Sequence, residues 1–371
     1  MKILFACRNF NKMAGGVERM SSSIMNEMDN RGHKVFLITW DKSNAISHYQ
    51  LNPGIKWIKL NIGNSNLKAD WIMRIKRQLL IRKIVKDIKP SVAIGFQFGT
   101  FIALRSALLG FFIPTIAAER NSPDLFNFVE NGRAKSFLAS VGLLFSNLVT
   151  IQMESYKKKY PYYLRSRILT ISNPVIPCRS PSYPNEKENT PKRILNVGRL
   201  SFQKNQLFLI KSFSLIAKDY PDWVLTIVGE GEYRSQIENL ILKHNLSKRI
   251  ELIGAVQDID KWYRQSAFFV FPSLWEGFPN ALAEAFRQGL PAIGLQNTSG
   301  VNELIHNQKN GLLVSMKEEK FALAMKNMII KKSFRKDAGR YATNSIKKYQ
   351  PKKIYNQWED LFLNFSKKIK K

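Results

Sequence analysis

Residues 275–291 read WEGFPNALAEAFRQGLP and set two carboxylates, Glu276 and Glu284, on either side of a Gly-Phe-Pro-Asn turn. Proline at 279 and glycine at 289 bracket a short helix, because proline suits a helix start and glycine the position just past its end. The first backbone N–H groups of such a helix lack intrahelical partners and carry the positive end of its dipole, so they suit a phosphate or a sugar hydroxyl. Glu284, one turn in, can accept hydrogen bonds from a diol, and Glu276 can approach the same ligand from another side. Taken singly, each glutamate is also explained as an acid complementing the dipole or as a surface carboxylate.

Outward from this helix the apolar pattern is repetitive. AFFVFPS precedes it and PAIGL and GLLVS follow, while RILNVG, VLTIVG and IELIGA lie upstream, alternating with helical segments at 205–218 and 233–244. The first half repeats the pattern with KILFAC, KVFLITW, IKWIKL, SVAIGF, TIAAE, LVTIQ and RILTIS. Short continuous apolar runs fed by helices are the signature of buried parallel sheets. Between the halves, the prolines and polar residues of SNPVIPCRSPSYPNEKENTPKR break both patterns. The reading is α/β, with two doubly wound domains at 1–173 and 191–345, a linker at 174–190, and a closing segment at 346–371. In that segment Ile354, Trp358, Leu361, Phe362 and Phe365 share a helix face and the end is basic. Ligands of such folds gather at the carboxyl ends of the strands.

The chain has 371 residues, 44% of them hydrophobic and 12% aromatic, which is the composition of folded domains. Its 58 Lys+Arg against 28 Asp+Glu give a net charge of +30 and imply an anionic partner. Cys7 and Cys178 form no CxxC pair, so neither a disulfide framework nor a zinc site is expected. The N-terminus reads as a first strand rather than a signal peptide. The longest apolar runs, 101–118 and 137–151, are interrupted, and neither meets the ~20 apolar residues of a spanning helix.

Residues 67–89 mix Trp71, Ile72, Ile75, Leu79 and Leu80 with Arg74, Lys76, Arg77, Arg82, Lys83 and Lys86. A helix of this composition suits an anionic membrane surface, and equally serves as an ordinary helix packed on the sheet. Zinc-finger spacing and RNP-like aromatic motifs are missing, so no nucleic-acid partner is expected.

NVGRLSFQKN places Arg199 just past a strand and Lys204 near the next helix, where two cations can hold a diphosphate or simply line a solvated loop. NKMAGGVERM, after the first strand, offers Gly15 and Gly16 for a close backbone approach or a plain turn. Asp258 to Asp260 form a DID that elsewhere binds metal but here leads into a helix. GEG at 229–231 continues to Arg234 where a dinucleotide fingerprint needs glycine. His33, His48, His244 and His306 lie outside every motif and read as structural or surface residues.

In order, GRLSFQKN, IVGEGEYRSQIENLI, ELIGAVQDIDKWYRQSAFFVFPS, the E-x7-E pair of EGFPNALAE, and SGVNELIHNQKNGLLV resemble the retaining GT-B glycosyltransferases of family 4. AGGVER and the final helix also fit, and the resemblance is strongest from Arg193 to Val314. It implies a GT-B fold, two Rossmann-like domains facing a central cleft, with the acceptor on the N-terminal side and a nucleotide sugar on the C-terminal side. Arg199, Lys204 and Glu276 would be catalytic, the two cations on the diphosphate and Glu276 on the donor sugar. Gly16 would sit beside the diphosphate, Ala255 and Val256 beside the base, Phe278, Pro279 and Asn280 at the sugar, and Glu284 on the ribose. Many members carry a histidine after an N-domain strand, where this chain has Glu119 and Arg120; either is a candidate for the acceptor or sugar side.

The implied reaction moves a hexose or N-acetylhexosamine from a UDP-sugar to a lipid-linked oligosaccharide in O-antigen, capsule or lipopolysaccharide assembly. No cofactor and no metal are expected. The enzyme would be cytoplasmic, peripheral on the anionic inner face of the membrane. The alternatives are a GT-B-shaped nucleotide-sugar epimerase and a non-catalytic sugar-nucleotide-binding subunit.

Overall fold

The computed structural model describes residues 1–63, 67, 69–178, 180–187, 189 and 191–368. Residues 179, 188 and 190 of the expected linker, 369–371 of the expected basic tail, and 64–66 and 68 near the basic helix lie outside the described residues. The chain forms two compact units, Met1–Pro174 with Pro351–Lys371, and Val175–Gln350.

Unit 1 runs β1 (Lys2–Cys7), α1 (Gly16–Asn30), β2 (Lys34–Thr39), β3 (Lys56–Lys59), α2 (Trp71–Ile88), β4 (Val92–Phe96), α3 (Phe98–Ala107), β5 (Thr115–Ala118), α4 (Gly132–Leu143), β6 (Leu148–Ile151), α5 (Glu154–Lys157), α6 (Tyr162–Arg165) and β7 (Ile168–Thr170). Its parallel sheet has the order β3-β2-β1-β4-β5-β6-β7. Alternation along β1 divides the core: Ile3, Phe5 and Cys7 pack toward α1, while Leu4 and Ala6 pack toward α2 and α3. Gly95 allows the second contact, since a Cβ there would meet the Phe101 Cα at 2.5 Å.

Unit 2 runs β8 (Arg193–Val197), α7 (Gln206–Ser214), β9 (Val224–Val228), α8 (Arg234–Lys243), β10 (Ile250–Gly254), α9 (Ile259–Arg264), β11 (Phe268–Phe271), α10 (Asn280–Arg287), β12 (Ala292–Leu295), α11 (Val301–Leu304), β13 (Gly311–Val314), α12 (Glu318–Ile330) and α13 (Lys332–Ser345). Its sheet order is β10-β9-β8-β11-β12-β13, again parallel. The last helix, α14 (Pro351–Lys368), belongs to unit 1, where Ile354, Trp358, Leu361 and Phe362 are buried in the core beside α1.

Each sheet reverses its strand order once, between β1 and β4 and between β8 and β11. At such a reversal the loops leaving neighbouring strands part in opposite directions and open a crevice at the carboxyl edge.

Arg77, one of the basic residues of 67–89, is buried on α2 beside Ile81, Val85 and Ile88. Apolar residues stand on both sides of this helix, so the pattern alone does not reveal which side meets the sheet.

Candidate active site

In unit 2 the loops after β8 and β11 meet at the reversal. The Gln203 backbone carbonyl accepts from Leu274 N–H at 2.9 Å, and its side-chain amide donates to the Trp275 carbonyl at 2.7 Å. Asn205, in the left-handed region at φ 57°, donates to the Pro272 carbonyl. This stitching brings Lys204 Nζ to 2.5 Å from Glu276 Oε1. Glu276 is 5% exposed, so the structure contradicts the surface-carboxylate explanation of this residue. Lys204 also lies 5.1 Å over the Phe271 ring, and its aliphatic stem fits the space left by Gly198.

Arg199 is exposed, and its guanidinium makes no hydrogen bond among the described residues. Its backbone is fixed: the buried Gln206 donates from its amide to the Arg199 carbonyl at 3.0 Å. The 229–231 loop presses on this segment. Gly229 has φ +144°, and a Cβ there would stand 2.0 Å from the Gly198 carbonyl oxygen. These glycines therefore serve loop packing.

Asn280 opens α10 with Pro279 as its cap residue, and Gly289 lies beyond the end with φ +79°. Phe278 is buried edge-on against Tyr349, with ring centroids 5.2 Å apart, which anchors the backbone of 278–280. Glu284 is half-buried. The fully buried Tyr263 donates its hydroxyl toward Glu284 Oε2 at 3.2 Å and the Ala281 carbonyl at 3.0 Å. Tyr263 was not among the sequence candidates, because its phenol reads as part of the apolar face of α9. Ala255 is exposed and Val256 half-buried just past β10, on the same carboxyl edge as Arg199 and the 272–280 segment.

Asp258 caps α9, accepting from Lys261 N–H at 3.2 Å, and Asp260 pairs with Arg287. Both DID carboxylates thus have structural work within unit 2.

In unit 1, Gly16 is exposed at the start of α1. Glu119 and Arg120 follow β5 but differ in setting. Arg120 is 3% exposed and donates to the Ile171 carbonyl and Thr150 Oγ1, with its guanidinium over the Trp358 ring at 5.1 Å. It ties α14 to the sheet and is engaged inside the unit. Burial lowers its pKa to about 9, opposed by Glu119 and Tyr160. Glu119 is half-buried, yet its Oε1 is closed off without a hydrogen-bond partner. Burial pushes this carboxyl up to about 7, and the neighbouring Arg120 charge pulls it partly back.

Residues 182–345 match the family described as "Glycosyl transferases group 1". A relative from Haemophilus influenzae, named an uncharacterized glycosyltransferase, is 28% identical over 84% of this chain and 85% of its own length. Residues 182–345 belong to the group 1 glycosyltransferases.

This is a retaining family of enzymes, and this glycosyltransferase has its GT-B fold. A Campylobacter jejuni relative covers 96% of the chain and 97% of its own length at 26% identity. Its name is GalNAc-alpha-(1->4)-GalNAc-alpha-(1->3)-diNAcBac-PP-undecaprenol alpha-1,4-N-acetyl-D-galactosaminyltransferase. Among solved structures, sucrose-phosphate synthase from Thermosynechococcus elongatus superposes with a TM-score of 0.83 at 16% identity, covering 98% of both chains. Anabaena Alr3699/HepE, in complex with UDP-glucose, superposes with a TM-score of 0.76 at 16% identity, covering 98% of this chain and 100% of that one.

Proposed function

We propose that this glycosyltransferase moves a hexose or N-acetylhexosamine from a UDP-sugar to a lipid-linked oligosaccharide during assembly of an O-antigen, capsule or lipopolysaccharide. The Lys204–Glu276 pair at the strand reversal of unit 2 carries the donor half of this reading, with Glu284 one turn into the following helix. The UDP-glucose complex of the Anabaena neighbour agrees with a uridine donor.

In this reading Arg199 and Lys204 hold the diphosphate. Glu276 and the backbone of Phe278, Pro279 and Asn280 receive the sugar hydroxyls, Glu284 takes the ribose diol, and Ala255 and Val256 border the base. The bond between the anomeric carbon and the diphosphate oxygen breaks as the acceptor hydroxyl attacks from the same face. The acceptor's proton passes to the departing phosphate, and the anomeric configuration is kept. Negative charge grows on the β-phosphate during this step, so fixed cations stabilise the transition state more than the bound substrate. Arg199 and Lys204 supply that charge, and the reading requires no metal ion.

The acceptor half rests on the N-terminal domain, 1–173, and on its surface chemistry. Trp71, Ile72, Ile75 and Leu79 of α2 are exposed beside Lys76, Lys83 and Lys86, a composition suited to anionic lipid headgroups. Among the described residues no helix is long and apolar enough to cross a membrane. In this reading the enzyme works peripherally, with α2 on the cytoplasmic face of the membrane. The name of the Campylobacter relative places an undecaprenol-linked saccharide in that protein's reaction.

The test is product analysis with UDP-hexoses and UDP-N-acetylhexosamines, with and without a polyprenyl-diphosphate-linked oligosaccharide. The expected product is the acceptor extended by one sugar with the donor's anomeric configuration. A rearranged nucleotide sugar formed without acceptor would identify an epimerase. Donor binding with no product under any condition would identify a binding subunit.

A further inference from the structure

Unit 1 has its own strand reversal, and the loops leaving β1, β2 and β4 open there into a cavity of about 500 Å3 between α2 and α3. This volume lies in the range of small-molecule sites. Arg8 follows β1, Arg74 and Arg77 line it from α2, and among the described residues the lining contains no acidic residue. Trp40, Phe98 and Ile102 provide apolar wall.

The charge in this cavity is incompletely compensated. Arg77 is 7% exposed and donates through Nε and Nη2 to one backbone carbonyl, that of Ile62, at 3.1 and 2.7 Å. Arg74 donates to the Ala69 carbonyl. Neither Arg74 nor Arg77 pairs with a carboxylate among the described residues. Arg8 repels Arg77, and Asp70, whose charge favours it, already accepts from Met73 N–H as the cap of α2. A buried cation that makes no ion pair of its own is costly until an anion arrives.

The next face of α2 extends the site. Trp71, Ile75 and Leu79 follow one another at helical spacing, adjoining the Arg74–Gln78–Ile81 row, and all three are exposed. The arginines of the cavity thus lead directly onto an unburied apolar track.

We infer that this cavity binds the diphosphate of an isoprenoid lipid carrier, with Arg8, Arg74 and Arg77 on the phosphate oxygens and the chain leaving along Trp71, Ile75 and Leu79. The inference rests on the lipid-linked-acceptor reading and assigns that acceptor's anionic group to unit 1, apart from the donor residues of unit 2. A lipid carrier and free pyrophosphate share the anion, and the apolar track selects the former.

The test titrates the full chain with farnesyl diphosphate, farnesol and inorganic pyrophosphate by calorimetry, for wild type, Arg74→Glu and Arg8→Gln. Farnesyl diphosphate should bind at least tenfold tighter than either pyrophosphate or farnesol. Each substitution should weaken it at least tenfold and leave UDP binding unchanged, which also reports intact folding. Pyrophosphate binding as tightly as farnesyl diphosphate, displacement of farnesyl diphosphate by UDP, or indifference to both substitutions would overturn the inference. If the predicted binding appears but no lipid-linked saccharide is extended, the inference stands and the acceptor half of the proposed function falls. If transfer occurs but farnesyl diphosphate does not bind, the reverse holds.

Discussion

Lys204 Nζ lies 2.5 Å from Glu276 Oε1, closing a contact across 72 residues of sequence inside unit 2. The pair holds the loops after β8 and β11 together. Lys204→Ala should therefore have two effects. Turnover should fall about 100- to 1,000-fold at saturating donor, as when one preorganised donor to a developing charge is lost. Stability should fall on the order of 2 kcal/mol, because the buried Glu276 carboxyl is left without its ion-pair partner. Steady-state kinetics and urea unfolding read the two separately, and near-normal turnover would contradict the assigned role.

Tyr263→Phe removes a hydroxyl that holds Glu284 in place while leaving the buried ring. The expected result is a KM for the UDP-sugar raised about tenfold with little change in kcat, the pattern of lost uniform binding. Wild type should prefer UDP to 2′-deoxy-UDP, and the variant should lose much of that preference. Unaltered discrimination would show that Tyr263 supports the fold alone.

Glu119 gives the protein a pH dependence whose direction follows from its pKa, raised from 4.5 to about 7 by burial. Below about 4.5 the carboxyl is protonated in both folded and unfolded chains, and the native state carries no penalty. Between 4.5 and 7 the unfolded chain ionises first, so the native state holds the extra proton and loses stability as pH rises. The full penalty, about 3 kcal/mol, is present above pH ~7. Glu119→Gln carries no such charge. The variant should gain stability relative to wild type between pH 4.5 and 8, measured by urea unfolding at both values. Parallel profiles would contradict a buried, unpaired carboxyl.

Lys76, Lys83 and Lys86 stand exposed along α2. Each juxtamembrane lysine contributes about 1 kcal/mol at an anionic surface, so replacing all three with glutamine should weaken vesicle binding about 100-fold. Co-sedimentation with vesicles containing phosphatidylglycerol measures this, and raised salt should produce a similar loss in wild type. Equal binding by both proteins would remove α2 from the membrane contact.

Much of the architecture was legible because burial leaves its period in the chain. RILNVG and AFFVFPS are largely apolar because β8 and β11 are covered on both faces, and the Pro279–Gly289 bracket marks α10. The E-x7-E spacing singled out Glu276 and Glu284 because the turn and the helix start are both local. Lys204 was legible as a cation near a helix start, but its pairing with Glu276 depends on two loops meeting at a strand reversal. The burial of Arg77 is not legible because α2 has apolar residues on both sides, nor that of Arg120, because a polar residue after a strand end normally faces solvent. Tyr263 stayed hidden since a buried phenol and a buried phenyl have the same periodicity.

The account centres on a nucleotide-sugar site built on Glu284, Lys204 and Glu276. Its most direct test is thermal stabilisation of wild type and Glu284→Ala by UDP-, GDP-, ADP- and CMP-sugars in the presence of a chelator. Ligands that bind the native state raise apparent stability with the logarithm of their concentration over Kd. The account predicts a shift with UDP-sugars alone that is lost in Glu284→Ala; an unchanged shift in the variant, or none with any UDP-sugar, would contradict it.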